Sequence, residues 1–260
     1  MKFLPRNDLN AFIINLSTYM LKSFRGPLFY SHLCSILKNK IMSKFGVIID
    51  RAHGENVAGK CSPDAAKGLK GSPYYYKEWE WSSIICTKLA NRLRDEGFIV
   101  EFTVDPKEKR EPGLSNRVKR TNKIIKDNPD IHWVFVSMHS NAVGNINEWS
   151  NATGYSIYTT KGVTNSDILA DCIIKRAEEA LPLYSKNIRK YKDKYLEREI
   201  EEDFTVIYGA ACPAVLAENW FHTTKSDVAW LKSEQGQEVI VDFHAKGIYD
   251  YFKLKFPGEI

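Results

Sequence analysis

The chain has 260 residues, 43% hydrophobic and 27% charged, enough for one α/β domain with a sizeable core. This composition excludes collagen-like, low-complexity and broadly disordered classes. Lys and Arg total 37 against 32 Asp and Glu, a formal net charge of +5, which gives mild attraction to anionic partners such as nucleic acid, membrane surfaces or cell-wall polymers. The basic residues are scattered rather than grouped in a run, so no nucleic-acid partner is expected.

Residues 9–21, LNAFIINLSTYML, are the most leader-like stretch, but Asn10, Asn15, Ser17 and Thr18 interrupt them and Asp8 dilutes the positive flank. No small-residue cleavage site follows, and the stretch is too short and polar to span a bilayer. Residues 1–41 are therefore expected to form an extension outside the core fold, with residues 42–260 as the main domain. Met42, directly before the first core strand, marks an alternative translation start, an expectation that intact-mass measurement checks.

FGVIID (45–50) is a short apolar run that ends in a polar loop, as a buried parallel strand does. Residues 51–76 form a long loop without periodicity, of the kind that carries function. Ile84, Ile85, Leu89 and Leu93 recur at helical spacing over 78–96, and Gly97 suits a C-cap. FIVEFTV (98–104) alternates as a strand, and residues 114–127 read as a helix. IHWVFVSMH (131–139) is a second buried strand. TGYSIYTT (153–160) reads as an edge strand and 166–181 as an amphipathic helix. The charged stretch 186–203 reads as a solvated surface excursion. CPAVLAENW (212–220) is a third buried strand, followed by helices over 226–231 and 235–252.

Strands alternating with helices predict a single α/β domain, a twisted, mainly parallel sheet with helices on both faces. Ligands in such sheets bind beyond the carboxyl ends of the strands, and three of these ends carry His53, His139 and Glu218. A hydrolytic zinc site needs about three imidazole or carboxylate ligands with one position open for water. His53 and His139 meet that need, and Glu78 or Glu80, at the start of the first helix, supplies a third ligand. The cysteines Cys34, Cys61, Cys86, Cys172 and Cys212 are odd in number, widely spaced and without a CxxC pair. That pattern points to a chain built in a reducing compartment, without a disulfide framework.

These residues bring a family into view. VIIDRAHGENVAGKCSPD (47–64), EWEWSSIICTKLANRLRDEGF (78–98), LSNRVKRTN (114–122), FVSMHSNA (135–142) and PAVLAENWFHTTKSDVAWL (213–231) resemble, in family order, the segments of zinc-dependent N-acetylmuramoyl-L-alanine amidases of the type-3 class. The resemblance runs from about Phe45 to Tyr251. It implies that His53, Glu78 and His139 ligate zinc and that Glu218 serves as general base and then general acid. The substrate implied is peptidoglycan, cut between N-acetylmuramic acid and L-alanine. Glu78 is preferred to Glu80 by its distance to the apolar helix positions. The two, two residues apart on a helix, point about 200° apart and do not serve together. Without a clear export signal, the implied setting is a phage or prophage endolysin made in the cytoplasm and acting on the cell wall, with a bacterial remodelling amidase as the rival.

Three departures from the family stand out. Ala52 replaces the usual glycine before the first histidine, at a cost on the order of 1 kcal/mol if that position needs positive φ. Arg51 stands where a proline or small residue is usual, and Ser82 stands where asparagine is frequent. Elsewhere, His132, His222 and His244 read as structural histidines, with His222 near enough to Glu218 to reach the cleft. Tyr74, Tyr75, Tyr76, Trp79 and Trp81 serve either packing or sugar stacking, and Asn122 and Asn141 either substrate or loop backbone. Cys61 lacks a base partner and is not read as a nucleophile. A zinc peptidase and an inactive wall-binding module are the competing readings.

Overall fold

All seven residues of β1 (Phe45–Arg51) are buried, because a central parallel strand is covered on both faces and so reads as a continuous apolar run. In the computed structural model, β2 (Ile99–Phe102) and β3 (His132–Asn141) flank β1 in parallel. β6 (Ala214–Phe221) pairs in parallel with β3. Beyond β6 the direction reverses. β4 (Ser156–Thr159) runs antiparallel to β6, and the short β5 (Ile200–Glu201) lies parallel to β4. The six strands follow the order β2-β1-β3-β6-β4-β5. The structure describes residue 42 and residues 44–189 and 199–260; the expected extension over 1–41 lies outside them.

Helices cover both faces, as the alternating pattern predicts. α1 (Pro63–Ala66), α2 (Glu78–Asp95), α3 (Leu114–Asp127), α4 (Asn165–Ala180), α5 (Thr205–Tyr208), α6 (Lys225–Lys232) and α7 (Glu234–Lys255) complete the described elements, with a 3-10 turn at Leu181–Tyr184. On one face Ile85 and Leu89 of α2, Ile173 of α4 and Phe252 of α7 pack with Ile49 and Val134. On the other, Ile124 of α3 and Val206 of α5 pack with Ile48 and Phe135. Each fully buried side chain of this kind contributes about 1.5–3 kcal/mol. α4 and α7 meet closely because Gly247 has no side chain: a Cβ there would lie 2.5 Å from Ile173 Cα. The start of α4 is held by a capping box between Thr164 and Asp167.

Three details differ from the sequence reading. β4 is not an edge strand, since β5 lies outside it. Residues 186–203 are not simply a solvated excursion: Ile188 bridges to Tyr155, and Ile200–Glu201 pair with β4, so the described ends of the segment return to the sheet. The long loop over 51–76 contains α1, whose N-cap is Ser62 with Pro63 at its first position; four residues are too few to show a period. Among the described residues no helix is long and apolar enough to cross a membrane.

Candidate metal centre

The order β1-β3-β6 sets three strand ends side by side. In that register Arg51 faces Met138, and His139 faces Glu218. His139 and Glu218 are therefore direct cross-strand neighbours, and His53 lies two residues past the end of β1. α2 then delivers Glu78 as its first helical residue, where the positive end of the helix dipole favours a carboxylate.

His53, Glu78 and His139 each offer a ligand atom, and these atoms all lie within 4.8 Å of one another. Glu78 is almost fully buried, and its Oε1 is 3.1 Å from His139 Nδ1. The same oxygen accepts the Ser140 N–H at 3.0 Å, while Oε2 is 3.6 Å from His53 Nε2. The two imidazoles stand edge to face with centroids 4.9 Å apart. Burial pushes the Glu78 carboxyl up, but the hydrogen bond with His139 and the charges of His53, His139 and His222 outweigh it and hold the group well below the usual carboxylate range. Two imidazoles and an ionised carboxylate at this spacing are a donor set that suits zinc. Glu80 lies elsewhere: its side chain is 47% exposed and pairs with Lys77.

Glu218 lines the same cavity, of about 420 Å³, with His53, Glu78 and His139. Its Oε2 is shielded from solvent and has no hydrogen-bond partner. Burial, then the neighbouring Glu78 carboxylate, raise its pKa well above the ordinary value, with Lys60 opposing. An orphaned carboxylate oxygen beside this donor set is what a cation or a polarised water would satisfy.

The scaffold around these groups is unusually tight. The left-handed backbone falls on His53, at φ 47°, and not on Ala52, so the glycine-to-alanine departure carries no such strain. Ser82 accepts the Ala52 N–H at 2.9 Å and donates to the Met138 carbonyl at 2.7 Å. One helix hydroxyl thus fastens the ends of β1 and β3. Trp220 is also left-handed, at φ 54°, and the β3–β6 register slips between His139 and Asn141. Strain held by surrounding structure clusters at functional sites. Arg51 is fully buried, its guanidinium lacks a hydrogen-bond partner among the described residues, and that group stands 5.9 Å over the Trp79 ring.

Of the residues near the site, Asp50 and Phe204 were not singled out in the sequence, whereas His222, Tyr76, Trp81, Asn122, Asn141 and Cys61 were. Asp50 accepts from Ser137 Oγ at 2.7 Å and Arg117 Nη1 at 2.9 Å. A carboxylate inside an apolar strand run was the available signal. His222 is buried, with Nδ1 3.0 Å from the Ser140 carbonyl and 3.8 Å from Glu78 Oε2. Burial lowers its pKa despite Glu78, so the neutral imidazole is favoured. Tyr76 stacks on it and donates to Ser140 Oγ, while Trp81 donates to the Leu231 carbonyl; both are packing residues. Phe204, just before α5, lines the cavity and offers a phenyl ring there. Asn122 holds the backbone at Gly209 and Ala211, whereas Asn141 lines the cavity. Burial raises the Cys61 pKa, away from nucleophilic character.

Comparison with known proteins gives a consistent picture. Residues 47–250 match the family model for N-acetylmuramoyl-L-alanine amidase. The chain is 30% identical over 227 residues to an endolysin of Bacillus phage SPP1, covering 82% of this chain and 68% of the relative. It is similar in structure to an N-acetylmuramoyl-L-alanine amidase of Clostridium difficile 630, with TM-score 0.62 and 26% identity over 83% of this chain and 100% of that one. The amidase AmiC2 of Nostoc punctiforme shares the fold, with TM-score 0.63 and 22% identity over 81% of this chain and 98% of that one.

Proposed function

The chain belongs to the N-acetylmuramoyl-L-alanine amidase family, and on that premise we propose that its amide hydrolysis uses a zinc ion held by His53, Glu78 and His139, with Glu218 as the proton carrier. Bound there, zinc would supply a Lewis acid and would bring the pKa of a water in its open position to about 7. The observation that carries the reading is the convergence of three ligand atoms within 4.8 Å beside the unpartnered Oε2 of Glu218.

In this reading Glu218 takes a proton from the attacking water through Oε2 and delivers it to the L-alanine nitrogen as the amide bond breaks. The glycan keeps the lactyl carboxylate and the peptide leaves with a free amino terminus. A cation held by His53, Glu78 and His139 would oppose the effects of burial and Glu78 on the Glu218 carboxyl and favour the ionised form that a base requires. Ser140, through its N–H, keeps one Glu78 oxygen fixed.

Purified peptidoglycan digested with the protein should release new N-terminal alanine without new reducing ends. Release of another amino terminus would favour a zinc peptidase. Wall binding without cleavage, with zinc well below one per chain, would favour an inactive wall-binding relative. The biological setting we propose is a phage or prophage endolysin made in the cytoplasm, supported by the likeness to a phage endolysin. Cells expressing it should lyse only when the inner membrane is opened, and lysis without that opening would count against the setting.

A further inference from the structure

We infer that Glu111 is a positioning residue that orients His53 from the side opposite Glu78. This rests on the zinc reading above. The His53 ring lies between two carboxylates, one at each nitrogen: Nε2 is 3.6 Å from Glu78 Oε2, and Nδ1 is 3.7 Å from Glu111 Oε2. Glu111 Oε2 is buried and has no hydrogen-bond partner. A buried carboxylate oxygen is costly to leave unpaired, and the group it faces is the one edge of His53 not turned to the proposed ion.

The carboxylate is aimed rather than stranded. Glu111 Oε1 is 3.5 Å from Arg117 Nη2. Arg117 is fixed in turn by Asp50 and by the carbonyls of Arg51 and His53. The backbone is held as well. Glu111 N–H donates to Asn56 Oδ1 at 2.7 Å, and Glu55 N–H donates to the Lys109 carbonyl at 2.8 Å. Gly54 lets the two loops meet, since a Cβ there would lie 2.3 Å from Glu111 N.

His53 needs such support. Its left-handed φ of 47° lies outside any strand or helix, so no regular element fixes its ring. An imidazole that ligates through Nε2 carries its proton on Nδ1, and a carboxylate at Nδ1 selects that tautomer and strengthens the ligand. The 3.7 Å separation is longer than a hydrogen bond. Contacts of this kind are often long without substrate and tighten in the working complex.

The test uses the full chain, stripped of metal, as wild type, Glu111→Gln, Glu111→Ala and Glu108→Gln. Glu108 is an exposed carboxylate of the same loop that pairs with Arg120. Zinc affinity is measured by competition with a chromophoric chelator, visible absorption after cobalt loading, and folding by thermal unfolding of the metal-free protein. Both Glu111 variants should bind zinc about 10–100-fold more weakly and shift the cobalt bands, while Glu108→Gln stays at the wild-type value. Affinities for both Glu111 variants within about twofold of wild type, or an equal loss in Glu108→Gln, would overturn the inference. A change in metal-free unfolding with unaltered zinc affinity and cobalt bands would show a merely structural role and overturn it too. A wild-type chain that binds no zinc would instead overturn the zinc reading itself.

Discussion

Oε1 of Glu78 lies 3.1 Å from Nδ1 of His139, although one residue opens a helix and the other sits near the end of a strand on a different part of the chain. The contact joins α2 to β3 in the wall of the cavity and places an ionised carboxylate, screened from water, against two imidazoles. That pairing defines where positive charge is welcome in this fold, and the first two predictions follow from it.

Glu218→Gln should keep zinc at the wild-type stoichiometry and lose cleavage by about 10²- to 10⁴-fold, the usual contribution of a positioned proton carrier. Metal analysis paired with release of N-terminal alanine reads both. Turnover near the wild-type rate would remove Glu218 as the base.

His139→Ala should lose both metal and activity, because it deletes a proposed ligand atom and leaves Glu78 Oε1 with only the Ser140 N–H of its two partners. Zinc content after dialysis against a weak chelator is the measurement. Retention of one tightly bound zinc per chain would show that the ion sits elsewhere.

Ser82→Ala should destabilise the protein by about 1–3 kcal/mol, since it leaves the buried Ala52 N–H without its acceptor. The same change frees the Met138 carbonyl and loosens the two histidine-bearing strand ends together. Urea unfolding gives the stability. A midpoint equal to wild type would mean that the hydroxyl does not tie these strands.

His244 on α7 predicts a pH dependence away from the cleft. It is fully buried, with Nδ1 2.7 Å from the Ile240 carbonyl and Nε2 3.2 Å from the Tyr155 hydroxyl. Burial pushes its pKa from 6.5 down to about 4, with the bond to Ile240 opposing. The unfolded chain binds the proton first, so this contribution to stability is present above pH 6.5 and is lost as pH falls toward 4. A shift of this size amounts to about 3 kcal/mol at the acid end. Unfolding free energies across this window should fall more steeply for wild type than for His244→Gln. Parallel curves would refute the assignment.

Much of this molecule was legible in one dimension. Continuous apolar runs at 45–50, 131–138 and 212–217 mark strands covered on both faces, and the polar residues that end them mark the binding edge, because a parallel sheet exposes its strand ends to ligand. His53, His139 and Glu218 were therefore visible as strand-end residues. Glu78 was visible as a helix-start carboxylate, with Glu80 as its competitor. The packing of α2 separates that pair, burying one and leaving the other beside Lys77.

What the linear pattern did not contain lies in loops that meet only on folding. Periodicity reports which face of an element is apolar, a local property, whereas the approach of Glu111 to His53 depends on Gly54, Asn56 and Arg117 arriving together from distant segments. The left-handed backbone on His53 instead of Ala52 is likewise a property of the folded loop, where the Ala52 N–H donates to Ser82 of α2. Local side-chain chemistry determined the sheet and its reactive edge; long-range backbone approach alone decided how the side chains at that edge are held.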